Sequence, residues 1–416
     1  MGRMREKAGS DLVRRQNLQL VLATLRGGRP LARTELGRLT GLSPATITAI
    51  AGQLIDLGLV SAVDDGPVAA SGEQRRGRPL ARLDIEPTAG NVLAANIAID
   101  AVELAISDYR GDIVVRETIH LATFKMASER FGRRLAAEAR RFLDRAGIAP
   151  GRLRRIGVAV QGIADTAAGT IAWSPAFEAR GVPVSDPLER EFGVPCAIAN
   201  DAVMIAEALL RAEPARYLST ALVVFIGYGV GMGLIIDGVV HGGQSGAAAE
   251  FGHMNHVPYG RECRCGRRGC IEAYAADYGI IGAARGTAAP HSAVPEATIA
   301  EVEASARSGD GAERRAFVDA GLALGFGLSR VIALLKPRRI VFAGPGTRAF
   351  PLLEPHIHRG IADGLVADLC PPIEIEALPA DRDIIIDGIV SGALRALDRD
   401  MLARPPVAVA MFGAAE

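Results

Sequence analysis

The residues best suited to metal chemistry form one short cluster in the second half of the chain. A histidine is followed by three cysteines, with glycines between the last two: His253, Cys263, Cys265, Gly266, Gly269 and Cys270. Three thiolates and one imidazole make a closed tetrahedral set, which is typical of structural rather than hydrolytic zinc. The cluster therefore predicts one structural Zn²⁺ per chain, with a redox pair or unligated thiols as the alternative.

An asparagine–aspartate pair stands where a predicted strand gives way to a predicted helix. The strand covers residues 194–199, and Asn200 and Asp201 follow it directly. At this point a side chain can project into a cleft between two lobes. The pair is also a common way to cap a helix, because such side chains accept hydrogen bonds from the first free amides.

The first 60 residues carry the pattern of a helix-turn-helix. Helices are predicted at 12–25, at 33–39 and from Pro44 to about Leu57, the last one capped by Ser43. One face of the third helix is apolar and the other is small and polar, as a helix that enters the major groove of DNA requires. The candidate DNA contacts on this helix are Ser43, Thr46, Thr48 and Gln53. An ordinary helical hairpin is the alternative.

Residues 61–80 lose all periodicity and fit a wing or a linker. Within them Arg75, Arg76 and Arg78 form a slim basic segment that suits an A·T-rich minor groove, with a solvated linker as the alternative. Residues 1–83 hold 13 Arg and Lys against 7 Asp and Glu, although the whole chain has a net charge of +0. This local basic excess favours a polyanion partner.

The rest of the chain predicts an α/β fold, because strands and helices alternate. The predicted strands are 92–106 and 112–117, as a hairpin around 109–111, then 155–160, 194–199 and 339–343. The predicted helices are near 129–146, 201–213, 312–335 and 383–402.

Composition and hydropathy argue against export and against a membrane protein. Five cysteines in 416 residues, three of them crowded together, do not form a secreted disulfide framework. No secretion signal pattern opens the chain, so we expect a cytoplasmic protein. Residues 218–236 approach the length of a membrane span, but their alternating glycines favour two buried strands around a turn.

The zinc cluster lies within a longer motif that resembles a known family. Glu250-x-Gly-His253, followed by Cys-x-Cys-Gly-x-x-Gly-Cys-x-Glu, is closely similar to the signature of the ROK family of sugar kinases and sugar-responsive repressors. The resemblance extends from about Gly90 to Leu397. It implies a two-lobed, actin-like sugar-kinase fold. The preceding helix-turn-helix favours the repressor branch, which includes N-acetylglucosamine- and xylose-responsive repressors.

The resemblance also implies a sugar site. In that family the asparagine–aspartate pair binds sugar, and the zinc-bound histidine faces the sugar with its second ring nitrogen. The ligand residues implied here are Asn200, Asp201, Glu250, His253 and Glu272. Two departures, Gln161-Gly162 in place of Pro-Gly and Pro175-Ala176 in place of Pro-Asn, affect specificity, so we expect a sugar-like effector as a class.

The residues that would hold ATP are altered. The family's first phosphate turn, Asp-x-Gly-Gly-Thr, aligns with Asn96-Ile-Ala98-Ile-Asp100, which loses both glycines and gains an acid that repels phosphate. A second turn, residues 227–233, and the loop 344–346 keep their glycines, but tight turns in any α/β fold use glycine. We therefore expect a protein that is not an enzyme and has lost phosphoryl transfer.

These observations predict three domains. Residues 1–83 form the winged helix-turn-helix with its wing or linker, 84–205 a first ROK lobe, and 206–416 a second lobe with the zinc motif, whose last helix returns to the first lobe. The predicted function is a repressor, a homodimer or homotetramer on an operator, whose DNA affinity changes with a sugar-like effector. A regulator controlled by another protein or by no ligand, and a residual sugar kinase, are the alternatives.

Overall fold

The structure is a computed structural model of the chain. It describes residues 2–28, 30–63, 82–242, 250–287, 294–366, 372–380 and 384–403. The three arginines of the predicted wing, Arg75, Arg76 and Arg78, lie outside the described residues.

The N-terminal part is a winged helix-turn-helix. Its elements are α1 (Gly2–Arg26), β1 (Leu31–Ala32), α2 (Arg33–Thr40), α3 (Pro44–Asp56), β2 (Val60–Val63) and β3 (Arg82–Ile85). Gly41, at a φ of 71°, ends α2 in the left-handed region that glycine favours. The Ser43 hydroxyl accepts a hydrogen bond from the Thr46 amide at 3.2 Å and so caps α3 as predicted.

The three short strands form an antiparallel sheet in the order β1-β3-β2. Val63 pairs with Arg82, so residues 64–81 connect β2 to β3 at the place of the wing. Strand β3 continues to Ile85, two residues beyond the predicted domain boundary at residue 83.

The first α/β half contains a five-stranded sheet in the order β11-β7-β4-β5-β6 and a small sheet in the order β10-β9-β8. Its elements are β4 (Asn91–Ala98), β5 (Ala101–Ser107), β6 (Ile113–His120), α4 (Ser128–Arg145), β7 (Leu153–Val160), β8 (Ile163–Asp165), β9 (Thr170–Trp173), β10 (Val182–Pro183), α5 (Ser185–Phe192), β11 (Cys196–Asn200) and α6 (Asp201–Ala212).

The prediction of one strand over residues 92–106 is wrong. The chain turns back at Ile99-Asp100, so that Ala98 pairs with Ala101 and the segment forms two strands. Asp100 adopts a φ of 55°, in the left-handed region, and its carboxylate accepts a hydrogen bond from the Thr123 amide at 3.1 Å. Aspartate tolerates this conformation better than most residues, which explains a turn without glycine.

The second half repeats the topology of the first. Its sheet has the order β14-β13-β12-β15-β16, and in both sheets a three-stranded antiparallel meander precedes two strands added in parallel to the first strand. The elements are β12 (Ala221–Ile226), β13 (Val230–Ile236), β14 (Val239–His241), α7 (Glu272–Ala275), α8 (Asp277–Arg285), α9 (Glu296–Ser308), α10 (Ala312–Leu335), β15 (Arg339–Ala343), α11 (Phe350–Gly364), β16 (Glu374–Ala377) and α12 (Ile385–Ala403).

The two apolar segments that could suggest a membrane are accounted for differently. Residues 218–236 contain the paired strands β12 and β13, in keeping with the sequence analysis. Among the described helices, α10 is long and apolar enough, by length and composition, to cross a membrane. Half of its most apolar stretch is buried, and α10 packs against α8, α9 and α11 in the core of the second half.

Helices α6 and α12 pack together and connect the two halves. Helix α12 contacts β4 and β7 of the first sheet, and α6 contacts β12 and β13 of the second. Gly388 of α12 lies so close to α6 that a Cβ there would stand 1.7 Å from the Met204 carbonyl oxygen. Residue 205, the predicted lobe boundary, lies inside α6, so this helix belongs to the packing of both sheets.

Candidate sugar and metal site

The predicted metal ligands converge in the structure. One ligand atom from each of His253, Cys263, Cys265 and Cys270 lies within 4.8 Å of all the others. The Cys263 Sγ to His253 Nδ1 distance is 3.7 Å, and the Cys265 to Cys270 sulfur distance is 3.8 Å. Bond lengths of about 2.3 Å to sulfur and 2.0 Å to nitrogen place tetrahedral ligand atoms about 3.6–3.8 Å apart, so these residues fit a zinc-sized ion.

The loop that carries the thiols depends on two glycines. Gly266 and Gly269 have φ values of 87° and 83°, and a Cβ at Gly269 would lie 1.8 Å from the Val257 carbonyl oxygen. Burial raises the pKa of the Cys270 thiol to about 11, so a cation is needed to hold it as a thiolate at neutral pH. Geometry and donor chemistry therefore agree on a metal-binding cluster.

His253 joins the metal cluster to a cleft. Its Nδ1 faces the Cys263 sulfur, while its Nε2 lies 3.9 Å from a carboxylate oxygen of Glu250. The edge of Trp173 contacts the imidazole, with ring centroids 5.4 Å apart. A metal on Nδ1 would fix the ring, so that Nε2 points into the cleft.

The cleft holds about 490 Å³ of empty space when its open mouth is included. All five residues that the family resemblance implied as sugar ligands line it: Asn200, Asp201, Glu250, His253 and Glu272. The sequence resemblance thus names groups that the fold brings together from three separate segments.

The asparagine–aspartate pair occupies the junction of β11 and α6. Asn200 Oδ1 accepts a hydrogen bond from the Ala202 amide at 2.8 Å, and Nδ2 donates to the Gly162 carbonyl at 2.7 Å. Asn200 is thus a helix cap, the alternative that the sequence left open, and it lines the cleft as well. Burial raises the pKa of Asp201 to about 7, and the charge of Glu272 adds to this shift.

The two glutamates are held differently. Glu272 accepts hydrogen bonds from the Val230 amide and the Tyr278 hydroxyl, both at 3.2 Å, so its orientation is set by buried partners. Glu250 is half-buried. Burial raises its pKa to about 7, with the negative charges of Glu272 and Asp201 as further causes.

Sequence reasoning did not name every residue that lines the cleft. Trp173, at the end of β9, and Met232, on β13, also face it, as do Gln161 and Pro175, which the sequence analysis noted only as departures from the family. Trp173 is the single tryptophan of the chain, and this is the one signal that could have marked it.

The predicted DNA contacts lie on or beside α3, partly engaged in local bonds. Thr48 donates to the Pro44 carbonyl at 2.9 Å, and the Ser43 hydroxyl is hydrogen bonded to that of Thr46 at 2.8 Å. The side-chain Oε1 of Gln53 accepts two hydrogen bonds from Arg14 of α1, at 3.0 and 2.6 Å. Arg14, which the sequence analysis did not name, thereby places an exposed guanidinium beside the reading helix.

A buried ion pair joins the winged helix-turn-helix, α1 to β3, to the rest of the chain. We call these N-terminal elements the reading domain. The guanidinium of Arg26, from α1, makes two hydrogen bonds to the carboxylate of Asp398 on α12, and both side chains are 6% exposed. The Tyr109 hydroxyl donates to Asp398 at 2.6 Å. One residue further, Arg110 donates to Asp84 of β3 at 2.6 Å. The β5–β6 turn therefore contacts both α1 and the wing sheet.

Comparison with protein families gives one match that decides the classification. Residues 93–382 match the model of the ROK family, which is more than half of the chain. The chain belongs to the ROK family. This membership confirms the expectation drawn from the Glu250-to-Glu272 motif.

Two relatives that match the chain by sequence over most of its length are repressors. The chain is 29% identical over 399 residues to the DNA-binding transcriptional repressor Mlc of Escherichia coli, which covers 92% of this chain and 96% of Mlc. It is 24% identical over 340 residues to the xylose repressor of Caldicellulosiruptor bescii, covering 79% of this chain and 83% of that repressor.

Solved structures confirm the fold. A ROK family transcriptional regulator described as a homolog of E. coli Mlc superposes with a TM-score of 0.75 at 22% identity, covering 94% of this chain and 99% of that one. A ROK family glucokinase from Streptomyces griseus, solved with glucose and AMPPNP, gives a TM-score of 0.56 at 22% identity, covering 73% of this chain and 98% of that one.

Proposed function

We propose that this protein is a DNA-binding transcriptional repressor whose ROK portion senses a neutral sugar. One observation carries the proposal. The winged helix-turn-helix, with its capped helix α3, is attached by the buried pair of Arg26 on α1 and Asp398 on α12 to a domain whose cleft is lined by groups that can bind hydroxyls. Its relatives by sequence are repressors, and one of them is named for xylose. Cytoplasmic location and a homo-oligomer on paired half-sites are part of the same proposal.

The charge of the cleft favours a neutral ligand. Three carboxylates, those of Asp201, Glu250 and Glu272, face it, and among the described residues that line it there is no arginine or lysine. A phosphorylated sugar would meet repulsion there, whereas hydroxyl groups can donate to carboxylates and accept from the imidazole. We therefore assign the effector to neutral polyhydroxyl compounds.

Zinc is the ion we assign to the four-residue cluster. His253, Cys263, Cys265 and Cys270 would hold it, and the bound ion would supply charge that keeps the thiols ionised. The chain's own part is to present the His253 imidazole at one fixed angle to the sugar, with Trp173 against its ring.

Two observations support the loss of phosphoryl transfer. Asp100, at the first phosphate turn, is bonded to Thr123 on both its backbone amide and its carboxylate, which leaves an acid where the kinases have a hydroxyl. In addition, the loop 344–346 packs on Gly227, so that a Cβ at Gly227 would lie 2.7 Å from Pro345. The two remaining glycine-rich turns thus lie directly against each other.

DNA recognition is assigned to α3 and the wing. Ser43, Thr46, Thr48 and Gln53 would meet the major groove, while Arg75, Arg76 and Arg78 would enter an A·T-rich minor groove. Sugar in the cleft would act on the Asn200-Asp201 end of α6, and the contacts of α6 with α12 would carry the change to Asp398 and thus to α1.

One experiment tests both ligand and partner. Zinc-loaded protein is titrated with a panel of neutral sugars and their phosphates while Trp173 fluorescence is followed, and the same panel is added to complexes with an A·T-rich genomic fragment library. We expect one neutral sugar to change the fluorescence and release DNA, and the Asp201→Asn variant to lose both responses.

Other outcomes would redirect the proposal. Specific DNA binding that no sugar alters would indicate a regulator without a ligand. Phosphorylation of a sugar by ATP, abolished by Asp201→Asn, would show that the chain is a kinase.

A further inference from the structure

A second, larger cavity lies where the reading domain meets the ROK portion. Its volume is about 1730 Å³ including its open mouth, and its walls come from α1, α6, α12 and the β13–β14 turn. We call it the junction cavity. The sugar cleft and the junction cavity lie at opposite ends of α6. Asp201 begins the helix at the cleft, and Glu207 and Arg211, further along the helix, line the junction cavity. Asp201 and Arg211 are ten residue steps apart, which is about 15 Å along the helix.

Basic groups outnumber acidic ones around this cavity. The lining cations are Arg26, Arg211, Arg395 and Arg399, and the lining acids are Glu207 and Asp398. Asp398 is taken up by Arg26, and Glu207 forms an ion pair with Arg395. The two acids are therefore already paired, which leaves two guanidinium charges in excess.

Arg211 makes no direct ion pair with the two acids that line the cavity. It is half-buried and donates long hydrogen bonds, 3.5 Å to the Ser391 hydroxyl and 3.3 Å to the Arg110 carbonyl. Among the described residues no carboxylate lies within ion-pair distance of its guanidinium. Burial lowers its pKa and the charge of Arg26 adds to this effect, whereas the carboxylates of Asp387, Asp112 and Asp108 act on it in the opposite direction from beyond ion-pair distance.

The remaining lining is apolar. Leu20, Leu218 and Val239 are 43%, 67% and 57% exposed, although large aliphatic side chains are normally buried. They stand around the same opening as the arginines, together with Leu210 and Leu394. Such a wall gains free energy when an apolar body covers it.

We propose that the junction cavity is a second ligand site, for a small amphipathic anion: a carboxylate or phosphate carried on an apolar body. The anionic head lies against Arg211, which can bind it with two parallel hydrogen bonds. The apolar body covers Leu20, Leu218 and Val239. This site has the opposite charge preference to the sugar cleft, so the two sites take different classes of ligand.

Because α1 forms one wall and α6 and α12 the others, a bound anion bridges the reading domain and the ROK portion. The ligand therefore contacts both parts whose relative position sets DNA affinity. This inference goes beyond the proposed function, and it is tested without sugar or DNA.

The experiment uses 8-anilinonaphthalene-1-sulfonate, an anion on an aromatic body, as a fluorescent probe of the zinc-loaded full-length protein. We expect one site per chain. Arg211→Met, which keeps length and apolar bulk, should weaken binding at least tenfold. Octanoate and octyl phosphate, added as separate competitors, tell a carboxylate-preferring from a phosphate-preferring site by their relative displacement of the probe.

A second variant blocks the cavity without removing a group. Gly392 of α12 lines it, and a Cβ added there meets no atom within 4 Å, so Gly392→Leu fills space and favours the helix. The matched control is Gly151→Leu, on the 3₁₀ turn before β7, where a Cβ also meets nothing.

The proposal predicts that Gly392→Leu abolishes probe binding while Gly151→Leu leaves it unchanged, with equal thermal stability of the two variants. Probe binding that is the same in wild type, Arg211→Met and Gly392→Leu, or no saturable binding to the wild type, would overturn it.

Discussion

The two five-stranded sheets have the same strand order, yet their first hairpins have diverged. In the second half the β12–β13 hairpin keeps its glycines because neighbours leave no space: a Cβ at Gly233 would lie 2.4 Å from the Ala202 carbonyl oxygen of α6. In the first half the β4–β5 hairpin turns through Ile99-Asp100 and is bonded to Thr123. One topology thus supports a tightly packed ligand wall in one sheet and, in the other, a turn held by its bonds to Thr123.

The next turn of each sheet differs in the same way. In the first half the β5–β6 turn carries Tyr109 and Arg110, which contact the reading domain. In the second half the β13–β14 turn, with Gly238 at a φ of 72°, lines the junction cavity. The comparison teaches that two sheets of the same topology can specialise through their turns while their strands stay alike.

We expect the largest difference in stability between a substitution in one half and its control in the other when a metal ligand is removed. We expect Cys270→Ser to lower zinc content from one ion per chain to about a tenth and the melting temperature by about 10 °C or more, because structural zinc contributes folding energy directly. Cys196→Ala, in β11 of the first half, is the control and should cost about 1 kcal/mol. Elemental analysis and calorimetry check this, and equal effects of the two changes would contradict the assignment of the metal to one half.

The attachment of the reading domain to α12 is expected to give the next largest effect. Asp398→Ala leaves the buried Arg26 charge unpaired, which costs about 3–5 kcal/mol. Asp400→Ala, on the same helix, removes a pair with Arg155 in which the aspartate is 53% exposed, and should cost about 0–1 kcal/mol. Urea unfolding followed by circular dichroism gives both values, and a small loss for Asp398→Ala would show that the junction contributes little to stability.

One substitution in each of the two hairpins tests how much space the structure leaves for a side chain at that position. Gly233→Ala puts a methyl group against the α6 backbone and should cost about 2–3 kcal/mol and weaken sugar binding. Asp100→Gly keeps a residue that accepts a φ of 55° and should cost about 1 kcal/mol or less, from the lost carboxylate bond to Thr123. Thermal unfolding and sugar titration of both variants test the comparison, which fails if the order of the losses is reversed.

The smallest effect is a pH dependence that comes from the cleft. The pKa of Asp201 is raised from its usual value near 4 to about 7, so between those values the folded protein binds a proton that the unfolded chain has released. Stability is therefore complete at low pH and falls as pH rises toward 7. Asp201→Asn should flatten this slope in unfolding experiments from pH 5 to 8, and an unchanged slope would assign it to another group.

Much of the fold could be predicted because long elements have strong periodicity. Helices α4, α6, α10 and α12 lie within a few residues of their predicted bounds. Periodicity missed the turn at Ile99-Asp100 because apolar residues continue through it, although the family alignment placed a phosphate turn over residues 96–100. Strands β8 to β10, of two to four residues, are too short to carry a pattern, so the arrival of Trp173 at the cleft could not be foreseen.

The site was partly predictable for a different reason. The metal ligands share one short segment, so spacing alone groups His253 with the three cysteines. The cleft combines residues from segments far apart in sequence, and only family resemblance connected Asn200 with Glu272. The bond of Gln53 to Arg14 joins two helices of the reading domain, and no local pattern announces it.

The contact of Gly388 with Met204 also has a mechanical consequence. At this point no side chain separates the two backbones, so we expect α6 and α12 to slide past each other less readily here than two helices that are held apart by side chains. A displacement of α6 at the cleft would therefore be passed on to α12, and so to Asp398, with little loss. If leucine side chains separated the two helices, they would absorb part of it. The lack of a Cβ methyl group at Gly388 permits this close contact between α6 and α12.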